Sequence, residues 1–353
     1  MSLLLGNQRE MSVKSIVAAV FAGALLIVGS AHAQDKTKIR FTLDWKYQGI
    51  HAFVFWAQEK GYFAAEGLDV SIDQGTGSAA TVTRIVSGTY DAGFGDVNAV
   101  IQLAGTKPGE QPKMVYMVYN KPPFALITKA SSPIKSLKDV VGRKLGTPAG
   151  GAAGQLFPAL AKSNGIDPAS VPVVNMAPNL QEQMLLTDQV DFSAVFTVTS
   201  YINLLGLKVD PDKDIRWIFY SDLGLDLYSN GIMVSQKLLK ENPKAVAGLV
   251  KALNRALIEV AQQPDAAMGI MMRVEPLMNA DLEKKRLLYA VKTHFVSPET
   301  DEIGIGAIKP ERMTKAIGTL VETYTLPNTP TVADIFDPSF LPPKSARELK
   351  LAM

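Results

Sequence analysis

Asp44, Trp45, Tyr47 and His51 fall within one short run, Leu43-Asp44-Trp45-Lys46-Tyr47-Gln48-Gly49-Ile50-His51. Together they offer a carboxylate, two stacking faces and an imidazole, a set suited to holding a flat polar molecule. Stacking of Trp45 or Tyr47 on a heteroaromatic ring is worth about 0.5–1.5 kcal/mol beyond burial. Trp45 can equally be plain core, although Asp44 beside it then needs a partner. His51 can donate to or accept from a ring nitrogen, or cap its own helix.

Four further stretches carry related chemistry. Gly75-Thr76-Gly77-Ser78 presents backbone N–H groups at a helix start, with Thr76 and Ser78 as side-chain partners, an arrangement that also welcomes anions. In Phe94-Gly95-Asp96-Val97-Asn98, Asn98 can show donor and acceptor together to a heterocycle edge, while Asp96 can serve there or as an N-cap. Pro148-Ala149-Gly150-Gly151 heads another helix, and Gly150 permits close approach of a ligand or of another backbone. Near Leu225-Asp226-Leu227-Tyr228, Asp226 is the expected acceptor for an exocyclic amine, or an exposed turn aspartate. Tyr228 is a second stacking face, and Phe196 lines the same cleft from another segment. Lys46, with Lys121 nearby, is the cation of these loops, against Asp44, Asp96, Asp222 and Asp226, a balance that favours a neutral or amine-bearing ligand.

The chain holds no cysteine and three histidines, which excludes thiol nucleophiles, thiolate metal sites and a histidine-rich metal cluster. No Gly-x-Ser-x-Gly elbow and no phosphate-binding loop occurs. Catalysis is therefore not expected, nor is a cofactor.

These loops need a scaffold that gathers them. Ahead of them, Lys14, the apolar run from Ile16 to Val28 and Ala31-His32-Ala33 read as a secretion signal cleaved near Ala33, so 1–33 is excluded from the fold and the location is periplasmic. Met11 opens a more ordinary signal than Met1 does. From 36 basic and 34 acidic residues, loss of Arg9, Lys14 and Glu10 leaves 34 against 33, too even for a nucleic-acid surface. Strand-like alternation at Ile39-Phe41-Leu43, Leu68-Val70-Ile72 and Tyr90-Ala92-Phe94 is interleaved with helical spacing, the pattern of α/β domains with a largely parallel sheet. Beyond about residue 236 the chain reads as helices at 245–262, 264–272, 281–293 and 310–323. Such a tail needs a sheet to pack on. Residues 34–128 and 231–353 are thus expected to form lobe I, and 129–230 an inserted lobe II. Two crossings make the hinge, with Pro122-Pro123 ahead of the outgoing one and shaping it.

The opening run, together with Lys60-Gly61-Tyr62-Phe63, Glu66-Gly67-Leu68-Asp69-Val70, Gly88-Thr89-Tyr90-Asp91-Ala92-Gly93 and Ser136-Leu137-Lys138-Asp139-Val140-Val141-Gly142, resembles the bacterial ABC-transporter binding proteins for thiamine pyrimidine precursors, nitrate, sulfonates and taurine. That resemblance implies a bilobed periplasmic binding protein of type II. Its two α/β lobes would clasp a small molecule and deliver it, as a monomer, to an inner-membrane permease with its ATPase. Leu43-Asp44-Trp45 and His51 are most similar to the pyrimidine branch, which implies a planar nitrogen heterocycle as ligand. An alkylsulfonate, taurine or nitrate is the alternative, as is a periplasmic sensor that presents its ligand to a receptor. The pyrimidine branch is also similar to a fungal pyrimidine synthase, whose iron site needs cysteines that this chain lacks.

Overall fold

In the strand Thr37–Thr42, alternation points Ile39 and Phe41 into the core and Arg40 outward, where its guanidinium meets Asp91 at 2.9 Å. The computed structural model describes residues 36–350; the expected signal and its cleavage point lie outside the described residues. Ten strands follow in chain order: β1 (Thr37–Thr42), β2 (Leu68–Asp73), β3 (Ala92–Asp96), β4 (Lys113–Met117), β5 (Phe124–Lys129), β6 (Leu145–Thr147), β7 (Val173–Asn175), β8 (Phe192–Phe196), β9 (Ile215–Phe219) and β10 (Asn230–Val234).

They form two five-stranded sheets of matching plan, β2-β1-β3-β10-β4 and β7-β6-β8-β5-β9. In each, three neighbouring strands run parallel and the fourth, β10 or β5, enters antiparallel. The helices α1 (Ala52–Glu59), α2 (Ser78–Val86), α3 (Val97–Thr106), α4 (Ala152–Ser163), α5 (Gln181–Leu186) and α6 (Thr197–Gly206) supply the crossovers. Strand β3 is buried throughout, and Gly93 and Gly95 let α2 lie directly on it: a Cβ at either would come within 2.8 Å or 2.7 Å of Thr81. The chain passes between the sheets twice, at 118–123 and 220–229, and the passages run side by side. Val118 and Tyr119 N–H groups both donate to the Asn230 carbonyl, at 3.0 Å and 2.8 Å.

The tail carries α7 (Pro243–Gln262), α8 (Pro264–Val274), α9 (Ala280–Ala290) and α10 (Pro310–Tyr324). Asn242 caps α7 through Ala245 N–H at 3.1 Å, and Pro243 sits at the first turn, where its missing N–H has no partner to lose. Leu249, Val250, Leu253, Ala256, Leu257 and Val260 recur on one face and cover Phe53 and Trp56 of α1. Each such buried Leu or Val side chain contributes roughly 1.5–3 kcal/mol.

Two boundaries differ from expectation. Strand β5 pairs with β8 and β9 of the second sheet, so the outgoing passage lies at 118–123, at Pro122-Pro123, rather than after residue 128. The tail also does not return to the first sheet alone: α9 packs on α6, and α10 packs on both α3 and α4. Arg286 of α9 is buried and donates to the carbonyls of Val198 and Thr199 at 2.9 Å and 2.7 Å. An arginine on an amphipathic helix reads as solvent-facing until those carbonyls are known. Among the described residues no helix is long and apolar enough to cross a membrane.

Candidate functional site

Where β1 ends, Asp44 turns inward and is almost wholly buried. Its Oδ1 lies 2.8 Å from His51 Nε2, and its Oδ2 accepts from Asn230 Nδ2 at 2.7 Å. The Gln48 backbone N–H donates to His51 Nδ1 at 3.1 Å, so the ring proton sits on Nε2 and is given to Asp44. Both histidine nitrogens are thereby used within the protein. The expectation that His51 meets a ligand nitrogen gives way to one in which it orients Asp44.

Asp44 borders a cavity between the sheets, shared with Trp45, Ser78, Pro148, Gln181, Phe196 and Thr199. Its volume is about 20 Å³, close to the ~10–15 Å³ that admits one water. No Lys or Arg is among its lining residues. Helices α2, α4 and α6 start at this cavity, with Ser78, Ala152 and the residue before Thr197 on its wall, which directs the partly positive ends of three helices at it. The sheets are joined at its rim: Ala79 N–H donates to the Gly150 carbonyl at 3.2 Å, and a Cβ at Gly77, which has φ +154°, would run into that same oxygen.

Four of the predicted residues, Asp44, Trp45, Ser78 and Phe196, are gathered there, and eight are not. Tyr47 packs edge-on against Phe55 at 5.3 Å. Thr76 is exposed to solvent, and Gly150 meets backbone of the first sheet. Asn98 donates to Asp96 at 2.9 Å and to the Tyr228 carbonyl at 2.8 Å, inside the first sheet's core. Burial pushes the Asp96 carboxyl up to about 7, against the opposing pull of Asn98. Asp226 is 66% exposed and pairs with Arg312 at 2.9 Å, while the buried Tyr228 bonds Glu299. Asp226 borders a separate groove by the interlobe passages, together with Glu299, the partner of Tyr228. The acceptor expected of Asp226 is therefore placed elsewhere, because Arg312, far along the chain, claims it.

Sequence reading missed Gln181 and Thr199. Gln181 is buried and donates to the Ala194 carbonyl at 2.6 Å; Thr199 donates to Gln48 at 3.4 Å. Their signal was positional: each lies in the first turn of a helix that follows a strand, where ligands of open α/β sheets collect.

A family profile described as NMT1/THI5 like matches residues 48–267, more than half of the chain. The riboflavin-binding protein RibY of Chloroflexus aurantiacus is 27% identical over 71% of this chain and 70% of its own. The 4-amino-5-hydroxymethyl-2-methylpyrimidine phosphate synthase of Legionella pneumophila is 24% identical over 71% of this chain and 78% of its own. Among solved structures, the alkanesulfonate-binding protein SsuA of Xanthomonas axonopodis superposes with a TM-score of 0.65 at 12% identity, covering 86% of this chain and 99% of that one. The fold is thus the bilobed periplasmic-binding-protein fold. The exclusion of catalysis is corrected: relatives at this identity carry an enzyme's name, so missing cysteines and nucleophile motifs do not place the chain outside an enzymatic lineage.

Proposed function

The chain belongs to the NMT1/THI5-like family, and we propose that it captures a small planar nitrogen heterocycle between its two sheets as the periplasmic solute-binding component of an ABC importer. The observation that carries this is Asp44, a buried carboxylate on a cavity without a basic side chain, held in one orientation by His51 and Asn230. An exocyclic amine offers the donors that such a carboxylate accepts, in a charge-assisted bond about twice as strong as a neutral one. The helix starts around it supply donors for ring nitrogens and a hydroxyl. A flat molecule carrying an amine on one edge and acceptors on another satisfies both, and Trp45 and Phe196 flank its faces. Of the heterocycles in the relatives' names, the aminopyrimidine is of this class, while riboflavin is planar and offers a ring imide N–H in place of the amine.

The cavity as it stands is too small for such a ring, so capture involves separating the sheets and closing them again. Strands β5 to β9 then act as one lobe, the other strands as its partner, and 118–123 with 220–229 as the hinge. The closed form is favoured by contacts to both lobes and is what a permease with its ATPase would recognise.

A second reading, an organic anion such as an alkylsulfonate, is favoured by the three helix starts. Asp44 opposes it, since a carboxylate beside a bound anion is repulsive and no Lys or Arg is among the lining residues to offset the pair. Calorimetric titration of protein stripped of carried-over ligand by unfolding and refolding separates the two. The proposal expects a 4-aminopyrimidine or riboflavin to bind and alkylsulfonates not to; the opposite pattern overturns it.

A further inference from the structure

We infer that Glu299 is the pin of the hinge, a positioning residue outside the cleft that governs how readily the sheets separate; this rests on the two-lobe capture reading. Its Oε1 accepts from Asn120 Nδ2 of the outgoing passage at 2.9 Å and from the Tyr228 hydroxyl of the return passage. Its Oε2 meets Arg312 Nη1 at 3.3 Å. One carboxylate thus joins both passages to the C-terminal tail.

The surrounding groups brace that carboxylate. Ser297 donates to Asn120 Oδ1 at 2.6 Å and caps the helix Pro298–Ile303, which carries Glu299. Lys309 N–H donates to the Tyr228 hydroxyl at 2.8 Å. The Arg312 guanidinium lies 4.1 Å above the Tyr228 ring and reaches Asp226 of the same passage. A second grip comes from the π-helical turn Val291–Phe295, in whose last turn the His294 carbonyl has no intrahelical partner and accepts from Lys121 N–H at 3.1 Å. Its ring Nε2 lies 2.8 Å from Thr197 Oγ1 at the start of α6.

Two features mark this as a place that moves rather than plain scaffolding. A groove of about 680 Å³, bordered by Asn120, Lys121, Asp226, Glu299 and Arg312, gives the passages open space on one side. Three buried polar atoms without a hydrogen-bond partner among the described residues, Tyr119 Oη, His294 Nδ1 and Arg312 Nε, cluster on the same passages and tail segment. Each keeps a hydrogen-bonding position that a shifted arrangement of the passages can use. Opening the sheets shifts the passages against the tail and breaks at least one of the three bonds to Glu299.

The test needs no ligand, so its failure is separable from failure of the heterocycle reading. Amide hydrogen exchange and small-angle scattering are compared for wild type, Glu299→Gln and Glu299→Ala. The inference expects exchange at the Tyr119, Lys121 and Ser229 amides to rise about tenfold or more in Glu299→Ala. Amides of β1 and β8 should stay unchanged, and the radius of gyration should increase. Glu299→Gln, which keeps an acceptor for Asn120 and Tyr228, falls between. Unchanged exchange on the passages, or equal acceleration across both sheets, overturns it. If Glu299→Ala does not fold, Tyr228→Phe removes one donor, and the same local acceleration must appear there in smaller degree.

Discussion

Asn230 Nδ2 donates to Asp44 Oδ2 at 2.7 Å, so the first residue of the returning strand holds the carboxylate at the end of the first. That bond links the return passage to the candidate ligand contact, and with His51 it fixes Asp44 before any ligand arrives. Asn230→Ala leaves one carboxylate oxygen buried and unpaired, a penalty of about 1–3 kcal/mol. Chemical denaturation should show that loss, and aminopyrimidine affinity should fall in the same variant.

His51→Ala acts on the other oxygen and also strands the Gln48 N–H. A stability loss of about 2–4 kcal/mol is expected from these groups and the space left behind. His51→Gln, which can keep a donor toward Asp44, should recover part of it in thermal unfolding.

Gly77 faces the Gly150 carbonyl across the mouth of the cleft. Gly77→Ala adds a methyl where two backbones already touch and forces a strained φ. Ligand affinity should drop about tenfold or more, with a smaller change in melting temperature, as read by titration calorimetry and thermal unfolding.

Two buried groups give opposing pH dependences. Burial raises Asp96 to about 7 from 3.8, so its protonated folded form stabilises below about pH 4, and that stability is lost as pH rises toward 7. Burial lowers His294 to about 3 from 6.5, so its contribution is present above pH 6.5 and is lost as pH falls toward 3. Each is at most on the order of 4–5 kcal/mol at 1.36 kcal/mol per unit. Asp96→Asn should therefore leave a protein whose melting temperature rises with pH between about 3 and 6.5. His294→Gln should leave one whose melting temperature falls between about 4 and 7.

Strand alternation and helix spacing were legible because each strand's own residues decide its inward face, as at Ile39 and Phe41. The sheet to which β5 belongs was not legible, since its partners, β8 and β9, lie far along the chain. The same limit governs the site. Asp44 could be suspected locally, because a carboxylate beside Trp45 needs a partner. Asp226 looked equivalent until Arg312 folded back onto it, and His51 looked free until Gln48 and Asp44 took both its nitrogens. Gln181 and Thr199 carry no distinctive motif, and only the convergence of helix starts brings them to the cavity.

Selection of a planar amine-bearing heterocycle by Asp44 is what the proposed capture requires. Titrating wild type and Asp44→Asn, each refolded free of ligand, with 4-amino-5-hydroxymethyl-2-methylpyrimidine and with an alkylsulfonate tests it most directly. Wild type is expected to bind the pyrimidine, and the substitution to weaken binding roughly 10- to 100-fold, the loss of one charge-assisted hydrogen bond, without creating tight sulfonate binding. Sulfonate binding by wild type that strengthens in Asp44→Asn, with no pyrimidine binding in either protein, would contradict it.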